Sequence, residues 1–134
     1  MTQPAFFVLT ALAGGPRHGY GIVGEVADLS DGRVQLKIGT LYGVLDRLVS
    51  DGLVEPDREE IRQGRLRRYY RLTERGGAEL AADAERQAAA ARTAVERLRG
   101  WRPTRAGRAP SAGSAGVAGT RRRSPRAVAD GGAV

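Results

Sequence analysis

The sequence predicts a mainly α fold with one small β-hairpin, followed by a long helix and a disordered tail. Apolar residues group into short helical segments in the first half of the chain. Two β-rich runs then flank a polar stretch. Beyond Trp101 the chain consists almost entirely of Gly, Ala, Pro, Ser and Arg, which is typical of disorder. We therefore expect three parts, at residues 1–73, 74–100 and 101–134.

The positive charge of the chain is concentrated at its C-terminal end. The 134 residues carry 22 basic and 15 acidic side chains, which gives a net charge of +7. Residues 101–134 contain seven Arg and one Asp and contribute +6, whereas residues 1–100 contribute +1 (15 basic, 14 acidic). Because the folded part is nearly neutral, the positions of its charges matter more than their sum.

Two features bear on the cellular setting. The chain contains no cysteine, which excludes disulfides and cysteine-based metal sites and agrees with a cytoplasmic location. The longest apolar run, at 4–13, is too short to span a bilayer. No basic residue precedes this run, as a secretory signal would require. We therefore expect no membrane partner.

The first two helices are expected over 4–13 and about 18–29. Proline at position 4 suits a first helical turn, and the Gly-Gly-Pro sequence at 14–16 ends the helix. In the second helix, Tyr20 and Val26 fall on one apolar face by their spacing. This pattern predicts that Tyr20 lies in the core.

A very short strand and a third helix follow. Val34 and Leu36 alternate with polar neighbours, as in a strand, and the third helix is expected over 38–51. Its outer face includes Gly39 and Gly43, which destabilise a helix by roughly 1 kcal/mol each relative to alanine. Their lack of a side chain allows another surface to approach closely. The apolar stripe of the inner face comprises Ile38, Leu41, Leu45 and Leu48.

Two β-rich runs at 53–56 and 69–72 predict a hairpin connected by a loop over 57–66. Six Arg and two Glu lie between positions 58 and 71, a charge of +4 on a near-neutral fold. A basic hairpin of this kind is typical of phosphate binding. The alternative is a solvated run of charges in which Arg68 pairs with an acidic neighbour.

Strand alternation assigns the hairpin arginines to two sides. Arg65 and Arg67 fall on one side, where we expect them to contact phosphates. Arg68 falls on the other side together with Tyr70 and Leu72, which should face the core. We therefore expect Arg68 to be partly buried and structural.

The last helix is expected from about 74 to 99, with Thr73 as its N-cap. Its apolar face is mostly alanine and buries too little area to hold the helix against a small core. Alanine does let two helices approach closely, so we interpret this helix as a dimerisation arm. The expected contact residues are Leu80, Ala84, Ala88, Ala91, Val95 and Leu98.

The predicted order of elements is that of a winged helix-turn-helix, with the third helix in the major groove of DNA and the hairpin as the wing. Four motifs in this order resemble the PadR family of transcriptional regulators. They are GPRHGYGI at 15–22, GTLY at 39–42, GLV at 52–54 and RYYRLT at 68–73. The resemblance covers about residues 4–99 and points to the compact branch of the family, which has a single C-terminal helix.

The resemblance implies a homodimeric repressor that binds double-stranded DNA. The last helix of each copy would pair with the same helix of the other copy. Such a dimer predicts a palindromic operator. Many members are released by a small aromatic or drug-like effector, for which Trp101 is the candidate stacking residue; alternatively Trp101 caps the helix pair. The residues expected to contact DNA are Lys37, Gly39, Thr40, Tyr42, Gly43, Arg47, Arg65 and Arg67.

Three alternatives remain open. Tyr42 can pack on the wing instead of contacting DNA. His18 lacks partners for a metal site, so we expect it to pack or to cap the second helix. The whole chain can be a winged-helix protein-interaction module without specific DNA binding. An enzyme is not expected, because the sequence has no nucleophile–base pair, metal cluster or phosphate-cradling loop. No cofactor is expected either.

Overall fold

The computed structural model describes residues 1–104 of the chain. Within that range it is mainly helical, with one antiparallel sheet in the strand order β1-β3-β2. Except for 101–104, the predicted disordered tail lies outside the described residues. None of the described helices is long and apolar enough to cross a membrane. The elements are α1 (Gln3–Ala13), β1 (Arg17–His18), α2 (Gly19–Leu29), α3 (Ile38–Ser50), β2 (Val54–Arg62), β3 (Arg65–Leu72) and α4 (Glu74–Arg99).

The two N-terminal helices begin at side-chain caps. Thr2 Oγ1 accepts a hydrogen bond from the backbone N–H of Ala5 at 3.2 Å. His18 precedes α2, and its Nδ1 accepts from the backbone N–H of Gly21 at 3.4 Å. These bonds satisfy N–H groups that have no partner within a first helical turn. The expected capping role of His18 is confirmed.

The buried face of α2 includes Val26, as predicted, but not Tyr20. Its buried residues are Gly19, Ile22 and Val26. Tyr20 is 65% exposed, so the prediction that it lies in the core is wrong. Two positions along a helix correspond to a rotation of roughly 200°. A buried stripe that includes Ile22 therefore turns Tyr20 toward solvent.

The inner face of α3 forms the centre of the core, as predicted. Leu41, Leu45 and Leu48 are buried, and Ile38 packs partly buried against them. Burial of each of these leucines contributes roughly 1.5–3 kcal/mol. Because this stripe fixes the rotation of α3, it also determines which residues the helix presents outward.

The strand predicted at Val34 and Leu36 is wrong. The backbone N–H of Val34 donates a hydrogen bond to the Oγ of Ser30 at 2.8 Å. Ser30 is itself buried. A local side chain thus satisfies the amide that a strand partner would otherwise bind. The third strand of the sheet is instead β1, which pairs with β3.

The hairpin of β2 and β3 is longer than predicted. Its turn consists of Gln63 and Gly64, whose φ angles of 52° and 76° are both positive, as a type I′ turn requires. The predicted loop over 57–66 is therefore wrong, since most of it is strand. Between Pro56 and Glu59 the register shifts, which marks a β-bulge in β2.

The start of α4 is fixed against the hairpin. Thr73 Oγ1 accepts from the N–H of Gly76 at 2.9 Å and donates to the carbonyl of Gly52 at 2.7 Å. Thr73 is thus the predicted cap. A β-carbon on Gly76 would collide with the carbonyl oxygen of Leu53, so only glycine fits there. One compact unit extends over Met1–Glu85, and a second begins at Arg86.

Candidate functional site

The face of α3 opposite the core is open to solvent. Lys37 directly precedes the helix, is exposed and makes no side-chain capping bond. Thr40 is half-buried in the first turn. The exposed residues of this outer face are Gly39, Tyr42, Gly43, Asp46, Arg47 and Ser50. The structure thus brings together on one surface the α3 residues that the sequence singled out.

The two glycines make part of this surface flat. A β-carbon at Gly39 or Gly43 would meet no other atom within 4 Å. Neither glycine has a positive φ, so the fold does not require glycine at these positions. Alanine there would stabilise the helix by roughly 1 kcal/mol each. The two positions therefore lower helix stability and leave the backbone of α3 accessible.

Tyr42 is both packed and accessible. A β-carbon on Gly19 would lie 2.7 Å from its hydroxyl oxygen, so the ring lies against the start of α2. Burial first, and then the neighbouring Tyr42, raise the pKa of Tyr70 on β3. Tyr42 therefore lies near the base of the wing, and it remains 37% exposed. Its packing orients the hydroxyl at the edge of the α3 surface.

Most wing arginines are bound by carboxylates. Arg71 donates to Glu55 at 2.7 Å and to Asp57 at 2.8 Å. Arg58 donates to Glu60 at 3.0 Å and to Asp57 at 3.2 Å. Two longer ion pairs join Arg68 to Glu59 at 3.5 Å and Arg62 to Glu60 at 3.8 Å.

Arg65 and Arg67 form no ion pair within residues 1–104. From position 55 to 71 there are six Arg and four acidic residues, a net charge of +2. This charge is equal to that of the two unpaired arginines. Arg65 is exposed beside the turn, and Arg67 is half-buried. The wing therefore offers two guanidinium groups that no carboxylate neutralises.

The two faces of the hairpin follow the predicted alternation, but Arg68 does not behave as expected. Its side chain is 64% exposed and pairs with Glu59 on the same face. The expectation that Arg68 is partly buried is wrong. Burial on this face ends at Tyr70, because the hairpin leaves the core beyond that residue.

The opposite face is organised around Tyr69. The ring of His18 packs edge-on against it at 5.4 Å between centroids, and the Arg58 guanidinium lies 3.9 Å from the ring centre. The Tyr69 hydroxyl donates to Glu60 at 3.1 Å. Burial lowers the pKa of His18 below its ordinary value of 6.5, and the charge of Arg67 lowers it further. His18 therefore has a structural role here. No group of side chains in the described part of the chain could hold a metal ion.

The expected dimerisation residues divide into two sets. Leu80 packs partly buried against the core of the first unit, which restricts its availability to a partner. Further along α4 the side chains are exposed, with Val95 at 51% and Leu98 at 60%. Trp101 is 58% exposed just beyond the helix. The apolar face that the single chain leaves uncovered consists of Ala84, Ala88, Ala91, Val95 and Leu98.

The sequence does not identify Tyr20, Ile61 and Leu66 as exposed apolar residues. The apolar residues of α2 are spaced so that either of two helix faces could be buried, and Tyr20 belongs to only one of these faces. Ile61 and Leu66 were placed in a loop. Ile61 lies two positions before Gln63, and Leu66 lies two positions after Gly64. With a two-residue turn at Gln63–Gly64, this spacing makes them a cross-strand pair.

Three helices, a small sheet and a hairpin with unpaired arginines define a winged helix-turn-helix protein. Residues 8–82 match the family described as "Transcriptional regulator PadR-like family". This chain belongs to that family, as the motifs predicted. Its membership makes it a transcriptional regulator by class.

Three known proteins are similar to this chain in sequence or in structure. An uncharacterized protein of Lysinibacillus sphaericus is 36% identical over 64 residues, which cover 48% of this chain and 59% of that protein. A PadR family transcription regulator from Clostridium difficile gives a TM-score of 0.62 at 24% identity, covering 72% of this chain and 99% of that one. Bacillus subtilis PadR, solved in complex with operator DNA, gives a TM-score of 0.52 at 24% identity. The match covers 58% of this chain and 44% of that one. At these identities the two structures show the fold.

Proposed function

We propose that this protein is a sequence-specific DNA-binding repressor that acts as a homodimer in the cytoplasm. The observation that carries the proposal is the open outer face of α3, with two solvent-facing glycines, on the same unit as a wing with two unpaired arginines. The structure of Bacillus subtilis PadR on operator DNA supports it, since that protein has a similar fold.

The flat part of α3 suits the major groove. This groove is about 12 Å wide and admits an α-helix, and the helix side chains set how deeply it enters. Gly39 and Gly43 would let the α3 backbone approach the base edges. Thr40 and Tyr42 would donate hydroxyl hydrogen bonds to phosphates or bases beside them.

Four cations around this surface would bind the DNA itself. Lys37, at the N-terminal end of α3, is placed for a phosphate, which the helix terminus also attracts. Arg47, on the outer face, can pair with the O6 and N7 of guanine. Arg65 and Arg67 of the wing would bind phosphates, because they lack carboxylate partners within the described residues.

The uncovered face of α4 would form the dimer. Ala84, Ala88, Ala91, Val95 and Leu98 are spaced by four and three residues alternately, which keeps them on one stripe. Small alanines let two such helices pack closely, while Val95 and Leu98 supply most of the apolar area. Two copies related by a twofold axis would present their α3 helices to half-sites about one DNA turn apart.

An effector, if one releases the protein, would have an aromatic surface to bind. The indole ring of Trp101 is more than half exposed, and flat molecules stack on such rings. Because Trp101 is the only tryptophan, its fluorescence reports binding without a label. Quenching by an aromatic compound that also dissociates DNA would support this part of the proposal, whereas unchanged fluorescence during dissociation would contradict it.

The competing function is a protein-interaction module without specific DNA binding. Selection from a random duplex library with the full chain separates the two. We expect a palindromic motif with half-sites about one helical turn, or a multiple of it, apart. Recovery of unenriched sequences at moderate salt would contradict the proposal.

A further inference from the structure

The tip of the wing carries an exposed apolar pair. Ile61 on β2 and Leu66 on β3 are direct cross-strand partners. Their residues are 75% and 54% exposed, although each is a large aliphatic side chain. Neither contributes to the buried core. Single exposed aliphatic residues are common on protein surfaces, but two facing each other at a hairpin tip form one continuous apolar point.

The backbone holds this pair in place. Only the pair Arg62–Arg65 separates it from the Gln63–Gly64 turn. The positive φ angles of that turn match the right-handed twist of the two strands, so the hairpin is well formed up to its end. The two side chains are therefore presented on a defined strand surface.

The pair lies on the face of the wing that leads back to α3. Strand alternation sets Leu66 on the same side as Arg68 and Tyr70. Tyr70 is buried in the core cluster that also contains Leu41 and Leu45 of α3. A ligand that covers the outer face of α3 would therefore meet the wing on the side of the apolar pair.

Arginines surround the apolar point. Arg62 and Arg65 lie one position beyond it. Arg62 is paired with Glu60 at 3.8 Å, whereas Arg65 forms no ion pair within residues 1–104. Arg68 lies two positions from Leu66 along β3. Residues 59–68 contain four Arg and two Glu, so the tip carries a net charge of +2. The ligand that matches a small apolar point on a basic tip is a polyanion with an apolar interior. Two side chains are far too small for a stable protein interface, which needs about 1,000 Å².

We propose that Ile61 and Leu66 enter the minor groove of the DNA bound by α3 and act as an apolar wedge that bends the duplex. This inference rests on the proposed function. Apolar side chains that enter the minor groove partly unstack a base step and kink DNA toward the major groove. Arg65, which forms no ion pair within residues 1–104, holds a phosphate beside the wedge. The flexible pyrimidine–purine steps accept the wedge most readily.

A bending assay with the full-length protein tests this wedge. The probe is a duplex of the selected operator, labelled at both ends for energy transfer, with 2-aminopurine at its pyrimidine–purine steps. Wild type is compared with I61S/L66S, and with I61V/L66V as the matched variant that keeps an apolar point. Both positions are exposed, so we expect all three proteins to fold with similar thermal midpoints.

We expect wild type and I61V/L66V to bend the duplex and to raise the 2-aminopurine signal. We expect I61S/L66S to form a specific complex with a nearly straight duplex and roughly tenfold weaker affinity. A straight duplex in the wild-type complex, or equal bending by I61S/L66S, would overturn the wedge while the DNA-binding proposal stands. Absence of any specific wild-type complex would overturn both. Equal bending with a change in oligomeric state for I61S/L66S would assign the pair to a contact between copies of the chain.

Discussion

The hydroxyl of Tyr42 occupies space that only a glycine at position 19 leaves open. A β-carbon on Gly19 would lie 2.7 Å from the hydroxyl oxygen and 3.1 Å from the adjacent ring carbon. Gly19 is buried at the start of α2. The close packing of α2 against Tyr42 of α3 therefore requires a residue without a side chain at position 19. The orientation of a candidate DNA-binding tyrosine thus depends on a residue of another helix.

Replacement of Gly19 tests this contact. We expect Gly19→Ala to lower the free energy of unfolding by roughly 1–3 kcal/mol, because overpacking forces the Tyr42 ring to move. Gly24→Ala is the control, since a β-carbon there meets no atom within 4 Å. Urea denaturation of both variants measures the difference, and equal stability of the two would refute the contact.

The glycines of α3 allow stability and DNA binding to be separated. We expect Gly39→Ala and Gly43→Ala each to raise the free energy of unfolding by about 0.4–1 kcal/mol. The added methyl group projects from the surface that would enter the groove, so we expect operator affinity to fall. Denaturation and fluorescence anisotropy on the same samples measure both effects. Gly24→Ala should gain stability and keep its affinity; loss of affinity in that variant too would argue against α3 as the specific surface.

The unpaired wing arginines should account for part of the salt dependence. We expect Arg65→Ala and Arg67→Ala each to reduce the slope of log affinity against log salt by about 1, as the loss of one phosphate contact does. Arg71→Ala removes the same charge, but Arg71 is bound to Glu55 and Asp57. Its slope should stay close to that of wild type. Equal slopes for all three variants would mean that the wing contributes only general charge.

His18 should make the fold sensitive to mild acid. Its pKa is lowered in the folded state by burial, then by Arg67 and Arg62, against the opposing effect of Glu60. The unfolded chain therefore binds this proton more readily than the folded one. The contribution of neutral His18 to the free energy of unfolding is fully present above pH 6.5. It is lost as the pH falls through the pKa of His18 in the folded state. Protonation also removes the lone pair that accepts the Gly21 N–H bond.

The only histidine of the chain provides a direct test of this decline. We expect His18→Asn to flatten the dependence of the urea midpoint on pH just below 6.5, because asparagine caps helices well without titrating. A variant with the same pH profile as wild type would assign the decline to the wing carboxylates instead.

The dimer should depend on one stripe of α4. We expect Ala91→Glu to shift sedimentation equilibrium toward the monomer, because it puts a charge into a close helix–helix contact. Ala89→Glu adds the same charge away from the stripe of Ala84, Ala88, Ala91, Val95 and Leu98, and should remain dimeric. Monomeric wild type, or equal dissociation of both variants, would contradict the assignment of this face.

The helical part of the fold was predictable because its signals are local. The Leu41–Leu45–Leu48 stripe, the Thr73 cap and the glycine-proline stop after α1 each depend on residues within a few positions. The error at Tyr20 arose because α2 is apolar on more than one face. Only packing against the other helices decides which of these faces is buried.

The wing was harder to predict because its strands are held by long-range pairing. The segment 57–66 contains mainly charged residues of low β propensity, and it forms strands because it pairs along the hairpin from Glu59–Arg68 to Arg62–Arg65. Ion pairs across the hairpin join Glu59 to Arg68 and Asp57 to Arg71. The same pairing decides which arginines stay available. The sequence favoured Arg65 and Arg67 for phosphate contact and offered an acidic partner for Arg68 as an alternative. It did not predict that Arg58, Arg62 and Arg71 would be bound by carboxylates.

We propose above that the outer face of α3 and the wing together recognise a particular DNA sequence. The most direct measurement is the affinity of the full-length wild type for the selected palindrome and for a shuffled duplex of the same composition, at physiological salt. We expect the wild type to bind the palindrome at least about 10³-fold more tightly than the shuffled duplex. Equal affinity for the two duplexes would contradict it.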